Sequence, residues 1–293
     1  MDTARLTNRS ASGYNCINRW SGGIFQEVEA VAGELRIGTS GYSYEDWRGC
    51  FYPVKLAKKD MLAYYAQEFS FTEINSTYYQ LPGLKMMEGL AQKTPGGFVF
   101  TVKAYQSLTH GRTDTVEEDA RKFIYSLAPL REAGKLGAVL LQFPYSFHNR
   151  EENRTYLARL KDILRDAPTI VEFRNQGWDR PAVLDFLKQL QIGYTCVDEP
   201  QLKGLVKPCA VSTWPLSYVR FHGRNAAKWW QPEQSFERYD YTYSPAELEE
   251  WVPGIEKLRE ESAKVFVAFN NHYRAQAVLG ARMLRDLLQK IEG

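Results

Sequence analysis

The stretch IVEFR, residues 170–174, alternates apolar and charged side chains within a short run of strand-forming residues. Side chains two residues apart lie on the same face of a strand, so Glu172 and Arg174 share one face and Val171 and Phe173 share the other. In a parallel strand covered by helices, the apolar face must contact the helices. The charged face is therefore expected to point away from them, toward the axis of a barrel.

Short apolar runs of this kind recur along the chain and are separated by longer amphipathic segments. The eight predicted strands are residues 35–38, 72–75, 98–103, 138–142, 169–174, 193–197, 217–222 and 265–270. The segments between them carry apolar residues at i, i+3 and i+4, which is typical of helices with one buried face. The alternation predicts an α/β fold, a single (β/α)8 TIM-type barrel of parallel strands with outer helices. No GxGxxG follows the first strand, which argues against a dinucleotide-binding fold.

Helix starts are also visible. Thr115 with Glu118, and Ser244 with Glu247, match the capping-box pattern, in which the first side chain and the acid three residues later satisfy each other's backbone N–H groups. We therefore expect helices to begin at both places.

The chain has 293 residues, somewhat more than the roughly 250 residues of one barrel. Residues 1–33 are rich in Ser, Asn, Gly and Arg and lack periodicity, so we expect a loosely ordered extension there and the barrel in residues 34–293. Residues 200–214 and 224–243 are long for connections within a compact domain, which is typical of lids and binding loops.

Composition limits the classes of partner. With 37 Lys and Arg against 35 Asp and Glu, the net charge of +2 provides no overall attraction to nucleic acid or membranes. No window approaches the ~18 apolar residues of a membrane span, and the amino terminus lacks an apolar signal segment, so we expect a cytoplasmic protein without a membrane partner. Four cysteines, Cys16, Cys50, Cys196 and Cys209, form no CxxC pair and are interpreted as reduced thiols.

Polar side chains near the ends of the other strands share the face that Glu172 and Arg174 occupy. They are Glu73, Asn75, Lys103, Gln142, Arg220, His222 and Asn270. Unpaired charge inside a barrel costs several kcal/mol per ion, so these groups must pair with each other or hold a ligand. Structural pairs such as Glu73–Arg174 or Glu172–Arg220 are one interpretation. A ligand site is the other, because barrel enzymes place their sites at the carboxyl ends of the strands.

The signs of the charges favour an anion. Lys103, Arg174 and Arg220 outnumber Glu73 and Glu172, and arginine forks bind carboxylate or phosphate well. The chain has only four histidines, which argues against a multi-zinc site, so we predict no metal and no cofactor.

His222, within RFHGR, is the predicted general acid or base, since only histidine has an unperturbed pKa near neutrality. Glu172, ahead of Glu73, is the predicted second proton-transfer group. A purely structural histidine is the alternative.

Aromatic residues follow several strands and are expected at the mouth of the barrel. They are Tyr44, Trp47, Tyr78, Tyr79, Trp178, Trp229 and Trp230. Stacking on a base or sugar ring, worth about 1–3 kcal/mol per base, is one use of such rings, and packing beneath loops is the other. The predicted binding residues are Arg174, Arg220, Lys103, Asn75, Gln142, Asn270, Asn271, Tyr79, Trp47 and Trp178.

Seven segments occur in a fixed order: GTSGYSYEDWRGCFYP, EINSTYYQLP, FTVKAYQSLTH, LLQFPYSF, VEFRNQGWD, YVRFHGR and VFVAFNNHYRAQA. Together they closely resemble the YecE-like family of TIM-barrel proteins, domain of unknown function 72, from about Leu35 to the end. The resemblance implies the barrel fold and a shared site, without an established reaction. It marks Thr39, Ser40, Gly41, Trp47, Glu73, Asn75, Tyr79, Lys103, His110, Gln142, Glu172, Arg174, Trp178, Arg220, His222, Gly223, Asn270 and Asn271.

The chain departs from the family pattern in two places. Pro144–Tyr145 stands where the family has a double proline, and His272, with Arg274 close behind, stands where an acidic residue follows the Asn pair. The second departure adds hydrogen-bond donors where the family offers a carboxylate.

Three hypotheses for function follow. The first is a metal-independent enzyme acting on a phosphorylated or carboxylated small molecule, and the second is a nucleic-acid-binding or repair-type, nuclease-like barrel. The third is a non-catalytic ligand-binding protein. The reaction, the substrate and the oligomeric state are left open by the sequence.

Overall fold

The computed structural model describes residues 32–165 and 167–292. Within them, eight parallel strands close into a barrel, each pairing with the next in sequence and β8 with β1. The strands are β1 Glu34–Ser40, β2 Phe71–Ile74, β3 Val99–Lys103, β4 Leu136–Gln142, β5 Thr169–Glu172, β6 Gly193–Asp198, β7 Leu216–Phe221 and β8 Lys264–Phe269. The predicted TIM-type barrel is confirmed, and each observed strand end lies within two residues of its predicted position.

Helices surround the barrel. They are α1 Met61–Tyr65, α2 Leu84–Gln92, α3 Val116–Ser126, α4 Ala128–Glu132, α5 Glu151–Leu164, α6 Pro181–Leu190, α7 Pro245–Glu249, α8 Val252–Glu261 and α9 Gln276–Glu292. Short helical turns lie at Glu45–Trp47, Lys58–Asp60, Ser76–Tyr78, Ser107–Gly111, Gln176–Trp178, Ser235–Tyr239 and Tyr273–Ala275. The connection from β6 to β7, residues 199–215, contains no helix, so the outer ring is irregular there.

One of the two predicted capping boxes is confirmed. The Ser244 hydroxyl accepts from the Glu247 N–H and the Glu247 carboxylate accepts from the Ser244 N–H at the start of α7. At Thr115 the predicted helix start is confirmed, since α3 begins directly after it, but the predicted capping box is wrong. Thr115 already has helical backbone angles, and its hydroxyl instead donates to Asp119 at 3.2 Å.

The inside of the barrel changes from apolar to charged along the strands. Towards the amino ends it is filled by the buried residues Phe71, Val99, Ala138, Leu140, Ile170, Leu216, Tyr218, Phe266 and Ala268. Two residues further along β2, β5 and β7, the same face carries Glu73, Glu172 and Arg220. The apolar part closes the barrel from one end, so the charged groups gather at the other.

The expectations for the N-terminal extension, the cysteines and membrane spans have different outcomes. The predicted extension lies outside the described residues, apart from Ala32 and Gly33, and stays a prediction. Cys50, Cys196 and Cys209 are free thiols, and Cys16 lies outside the described residues. Across the described part of the chain, no helix combines the length and the apolar character needed to cross a membrane.

Candidate functional site

An ion-pair network occupies the centre of the barrel at the carboxyl ends of the strands. The Arg220 guanidinium on β7 lies between two carboxylates, with Nη1 2.5 Å from Glu172 Oε2 and Nη2 2.6 Å from Glu73 Oε1. The Tyr218 hydroxyl donates to the other Glu73 oxygen at 2.8 Å. Burial alone would raise the pKa of Glu172, but Arg174 and Arg220 together hold that pKa well below its usual value. Glu172 is therefore a carboxylate held in place and does not fit the predicted role in proton transfer.

The predicted Glu172–Arg220 pair is confirmed and the predicted Glu73–Arg174 pair is wrong. Arg174 lies beyond the end of β5, so its guanidinium reaches Glu172 Oε1 and Glu199 Oε2, each at 2.7 Å. Glu73 is then left to Arg220. The interpretation of these charges as a structural network holds for this set of groups.

Glu199 is a site residue that the sequence analysis missed. It follows β6 directly, is buried, and has its second oxygen, Oε1, without a hydrogen-bond partner among the described residues. Burial raises the pKa of Glu199 to about 7 although Arg174 acts in the opposite direction. The signal in the sequence was an acidic residue at the carboxyl end of an apolar run, as Glu73 is near the end of β2 and Glu172 at the end of β5.

His222 lies behind the network, deep in the barrel. Its side chain is fully buried, with Nε2 3.2 Å from Glu172 Oε1 and Nδ1 3.1 Å from the Asn270 amide nitrogen. The same Nε2 lies 3.1 Å from Arg174 Nη2, so His222 contacts a guanidinium group, a carboxylate and an amide. Burial, and then the charge of Arg174, lower the pKa of His222 to about 3. This position fits a group that orients Glu172 better than the predicted general acid or base.

We expect the imidazole of His222 to stay neutral between pH 8 and pH 5. Its carbon-bound proton signals in the NMR spectrum, identified by their absence in the His222→Gln variant, should not move over this range, because the pKa lies near 3. A titration midpoint between pH 6 and pH 7 would contradict this assignment and restore His222 as a candidate acid or base.

A cavity with two lobes opens above the network. The polar lobe, of about 400 Å³, extends over Glu73 and Arg220 toward Tyr44, Asn75 and His272. The aromatic lobe, of about 370 Å³, extends toward His110, Tyr145, Leu205, Trp229, Trp230 and Arg238. The two lobes share Tyr78, Tyr79, Lys103, Gln142, Arg174 and Tyr239. Each lobe is within the usual size of small-molecule sites.

Lys103 stands at the junction of the two lobes. Its ammonium group lies 4.4 Å from the centroid of the Tyr78 ring. Among residues 32–165 and 167–292, no carboxylate oxygen lies within 4.0 Å of the Lys103 ammonium nitrogen, because the nearby carboxylates pair with Arg174 and Arg220. Burial, followed by the charge of Arg220, lowers the pKa of Lys103 to about 8. At neutral pH the group is therefore mostly a partly buried cation that faces open space.

Most of the predicted amide residues line the cavity. Asn75, Gln142 and Asn270 contact the polar lobe, and the side-chain oxygen of Asn75 has no hydrogen-bond partner in the described structure. Asn271 does not line either lobe, because it is fully buried and its amide donates to the Tyr241 carbonyl at 2.8 Å.

The predicted aromatic residues divide into two groups. Tyr79 lies at the rim, with 75% of its surface exposed, and lines both lobes. Trp47 and Trp178 are fully buried in the core, and neither lines the cavity. Their indole N–H groups donate at 2.6 Å to the carbonyls of His272 and Phe147. Of the two uses considered for such rings, packing beneath the loops is the one that Trp47 and Trp178 show, and neither ring faces the cavity.

His272 forms part of one wall of the polar lobe. Its ring stacks on Tyr44, with centroids 4.5 Å apart and planes 2° from parallel. Arg274, two residues further along, does not line either lobe, and its backbone N–H donates to Asp46 at 2.7 Å. This wall therefore carries a largely neutral aromatic surface, since burial lowers the pKa of His272.

Asp198, the other acid at the end of β6, faces outward. It accepts from Tyr243 at 2.6 Å and from Trp251 at 2.7 Å, and its carboxylate pairs with Arg224 at 2.7 Å. This cluster fixes both ends of the 224–243 connection to the barrel. The connection supplies Trp229, Trp230 and Arg238 to the aromatic lobe, as expected of a binding loop.

Among the side chains that the structure describes, no group of three or more His, Cys, Asp or Glu residues is arranged to hold a metal ion. The expectation of a site without metal or cofactor stays a prediction.

Comparison with known proteins assigns the chain to a family. Residues 36–292 match the family described as "Protein of unknown function DUF72". The chain belongs to the DUF72 family. The resemblance drawn from the seven segments is thereby confirmed, since the YecE-like and DUF72 names refer to the same family.

Several DUF72 relatives cover most of this chain. The UPF0759 protein YunF of Bacillus subtilis strain 168 is 34% identical over 269 residues, which are 87% of this chain and 94% of YunF. The DUF72 protein TM1631 of Thermotoga maritima is 37% identical in sequence, and its crystal structure matches with a TM-score of 0.81 over 87% of this chain and 99% of TM1631. The DUF72 protein EF0366 of Enterococcus faecalis V583 is 30% identical with a TM-score of 0.78, over 87% and 95% of the two chains.

Proposed function

We propose that this DUF72 barrel binds a small organic anion, phosphorylated or carboxylated, with Lys103 as the cation that meets the negative charge. The observation that carries the proposal is the position of Lys103: a partly buried ammonium group at the junction of two lobes, with an aromatic ring as its neighbour. An unpaired cation in such a position costs free energy that an incoming anion recovers.

The charge around the cavity supports an anion over a cation as the ligand. The charged side chains that line the two lobes are Lys103, Arg174, Arg220 and Arg238 against Glu73. Arg220 and Arg174 already bind carboxylates, so Lys103 has hydrogen-bonding capacity left for a ligand. Asn75, with its open oxygen, provides an acceptor for a hydroxyl group of the same ligand.

The titration behaviour of the site supports Lys103 as the proton-transfer group of an enzyme. Its pKa of about 8 allows both protonation states near neutrality, whereas the pKa of His222 is lowered to about 3. In this mechanism Lys103 binds the anion as an ammonium group and exchanges a proton with the substrate. Glu73 and Glu172 hold Arg220 in place, and Arg174 lines the bottom of the cavity.

The nucleic-acid alternative has less support. The cations lie inside a cavity, and Trp47 and Trp178, expected at the mouth, are in the core. A non-catalytic binding protein would use the same anion site, and turnover of a bound substrate separates that alternative from an enzyme.

The Lys103→Met variant should bind sulfate and inorganic phosphate at least about tenfold more weakly at pH 7. One charge-assisted contact contributes about 1.5–3 kcal/mol, and about 1.4 kcal/mol corresponds to a factor of ten. Isothermal titration calorimetry measures the dissociation constants. Lys188→Met, which removes an exposed lysine of α6, is the matched control and should bind as the parent does.

The same proposal fixes the sign of a pH dependence. Sulfate keeps its charge from pH 6 to pH 10, so any change of affinity over this range comes from the protein. The parent should lose affinity as the pH rises through about 8 and the ammonium group loses its proton. A bound anion favours the ammonium form and moves the midpoint upward. Unchanged sulfate and phosphate binding by Lys103→Met would refute the proposal.

A further inference from the structure

Exposed aromatic rings are concentrated around the aromatic lobe. Among the described residues, the large apolar side chains with at least 39% exposure are Val54, Tyr79, Met86, Tyr125, Tyr145, Trp230 and Leu279. Tyr79, Tyr145 and Trp230 all line this lobe, and Tyr125, on α3, is the exposed aromatic residue of this set that does not. Exposed apolar surface gathered in one cavity is typical of a binding site.

Two rings pack against each other at the entrance of the aromatic lobe. Tyr145 and Trp230 meet edge to face, with centroids 5.3 Å apart and planes 78° from parallel. Gly204 comes so close that a side chain there would collide with the Tyr145 hydroxyl, so the backbone supports that ring from one side. Side chains that are fixed before binding lose little entropy when a ligand arrives.

Trp229, the preceding residue, anchors the loop that carries Trp230. Trp229 is buried, its carbonyl accepts from Arg238 Nε at 2.8 Å, and its ring lies 5.6 Å from the Arg174 guanidinium carbon. The loop that carries Trp230 is thus connected to the charged floor of the cavity. A flat group lying against Trp230 would leave its remaining atoms near Lys103 and Arg174, which both lobes share.

We propose that the ligand joins a planar aromatic ring to its anionic group, as aryl phosphates and nucleoside monophosphates do, with the ring in the aromatic lobe and the anion at Lys103. This inference rests on the proposed anion site and adds the class of molecule. The aromatic lobe supplies π faces and edges, and base–aromatic stacking is tolerant of the identity of the ring. The polar lobe, with Asn75 and Gln142, is left for hydroxyl groups of the same molecule.

A pair of ligands that differ only in ring type tests the inference. Phenyl phosphate and cyclohexyl phosphate carry the same charge on rings of similar size, and only phenyl phosphate is planar and aromatic. Calorimetry at pH 7 should give at least about fivefold tighter binding of phenyl phosphate, at the lower end of stacking contributions. Adenosine monophosphate should exceed ribose 5-phosphate in the same direction.

Substitutions in the aromatic lobe test which rings cause the preference for phenyl phosphate over cyclohexyl phosphate. Trp230→Leu and Tyr145→Leu keep apolar surface and remove the aromatic ring, so each should reduce the phenyl preference while leaving cyclohexyl phosphate binding within about twofold. Tyr125→Leu, an exposed tyrosine on α3, is the matched control and should keep the preference.

Two outcomes overturn the inference and differ from each other. Equal binding of the two phosphates by the parent, lost in both cases by Lys103→Met, refutes the aromatic class and leaves the anion site standing. Phenyl phosphate binding that Lys103→Met does not weaken refutes the anion site itself, and the joined ring-and-anion ligand with it.

Discussion

Replacement of Arg220 with methionine is expected to lower the free energy of unfolding by about 3–5 kcal/mol at pH 7. The guanidinium group lies between Glu172 and Glu73 at 2.5 and 2.6 Å, and all three side chains are almost completely buried. Its removal leaves two buried carboxylates close together, with Arg174 on one of them and Tyr218 on the other. A buried charge that loses its partner retains the cost of desolvation without the compensating attraction.

Urea unfolding followed by circular dichroism measures this loss. Arg121→Met removes one member of an exposed pair with Glu117 on α3 and should cost under about 1 kcal/mol. Should Arg220→Met fail to fold, Arg220→Lys retains the charge, loses the two-sided fork, and is expected to fall between parent and methionine variant.

The loss of stability in Arg220→Met should depend on pH. In the parent, Arg174 and Arg220 hold the pKa of Glu172 well below its usual value, so without Arg220 this carboxyl group takes up a proton at a higher pH and the deficit relative to the parent should shrink as the pH falls. A deficit under about 1 kcal/mol at pH 7, or one that grows toward acid, would show that Arg220 is not the group that compensates these carboxylates.

Replacement of Trp178 with alanine is also expected to cost about 3–5 kcal/mol. The indole is fully buried and stacks on Phe173, with centroids 4.1 Å apart and planes 2° from parallel. Its N–H donates to the Phe147 carbonyl at 2.6 Å, so the variant leaves both a cavity and an unpaired buried carbonyl.

The same variant separates a core role from a ligand role. Per folded molecule, Trp178→Ala should bind sulfate as the parent does, because the ring does not line either lobe. Trp230→Ala, in which a half-exposed ring is lost, should change stability by about 0.5 kcal/mol or less. A stable Trp178→Ala protein with weakened anion binding would return Trp178 to the set of ligand-binding residues.

The fold and the faces of the strands could be predicted because they follow from local periodicity. Side chains alternate every second residue along a strand, so IVEFR by itself places Glu172 inward and Val171 toward the helices. The same rule placed Glu73, Lys103 and Arg220 at the ends of β2, β3 and β7, where the structure has them. Capping was less predictable: Ser244 caps α7, whereas Thr115 adopts helical backbone angles and bonds to Asp119.

The sequence by itself therefore determined the barrel, the inward face of each strand and the end at which charge collects. Only the tertiary structure decided which charges neutralise each other, because Arg220 meets partners 48 and 147 residues away in the chain. Burial, which no local pattern reveals, decided that the pKa of His222 lies near 3 and that of Lys103 near 8. It also placed Trp178 in the core. Periodicity is a property of neighbouring residues, whereas ion pairing and pKa depend on distances between distant strands and on the exclusion of water.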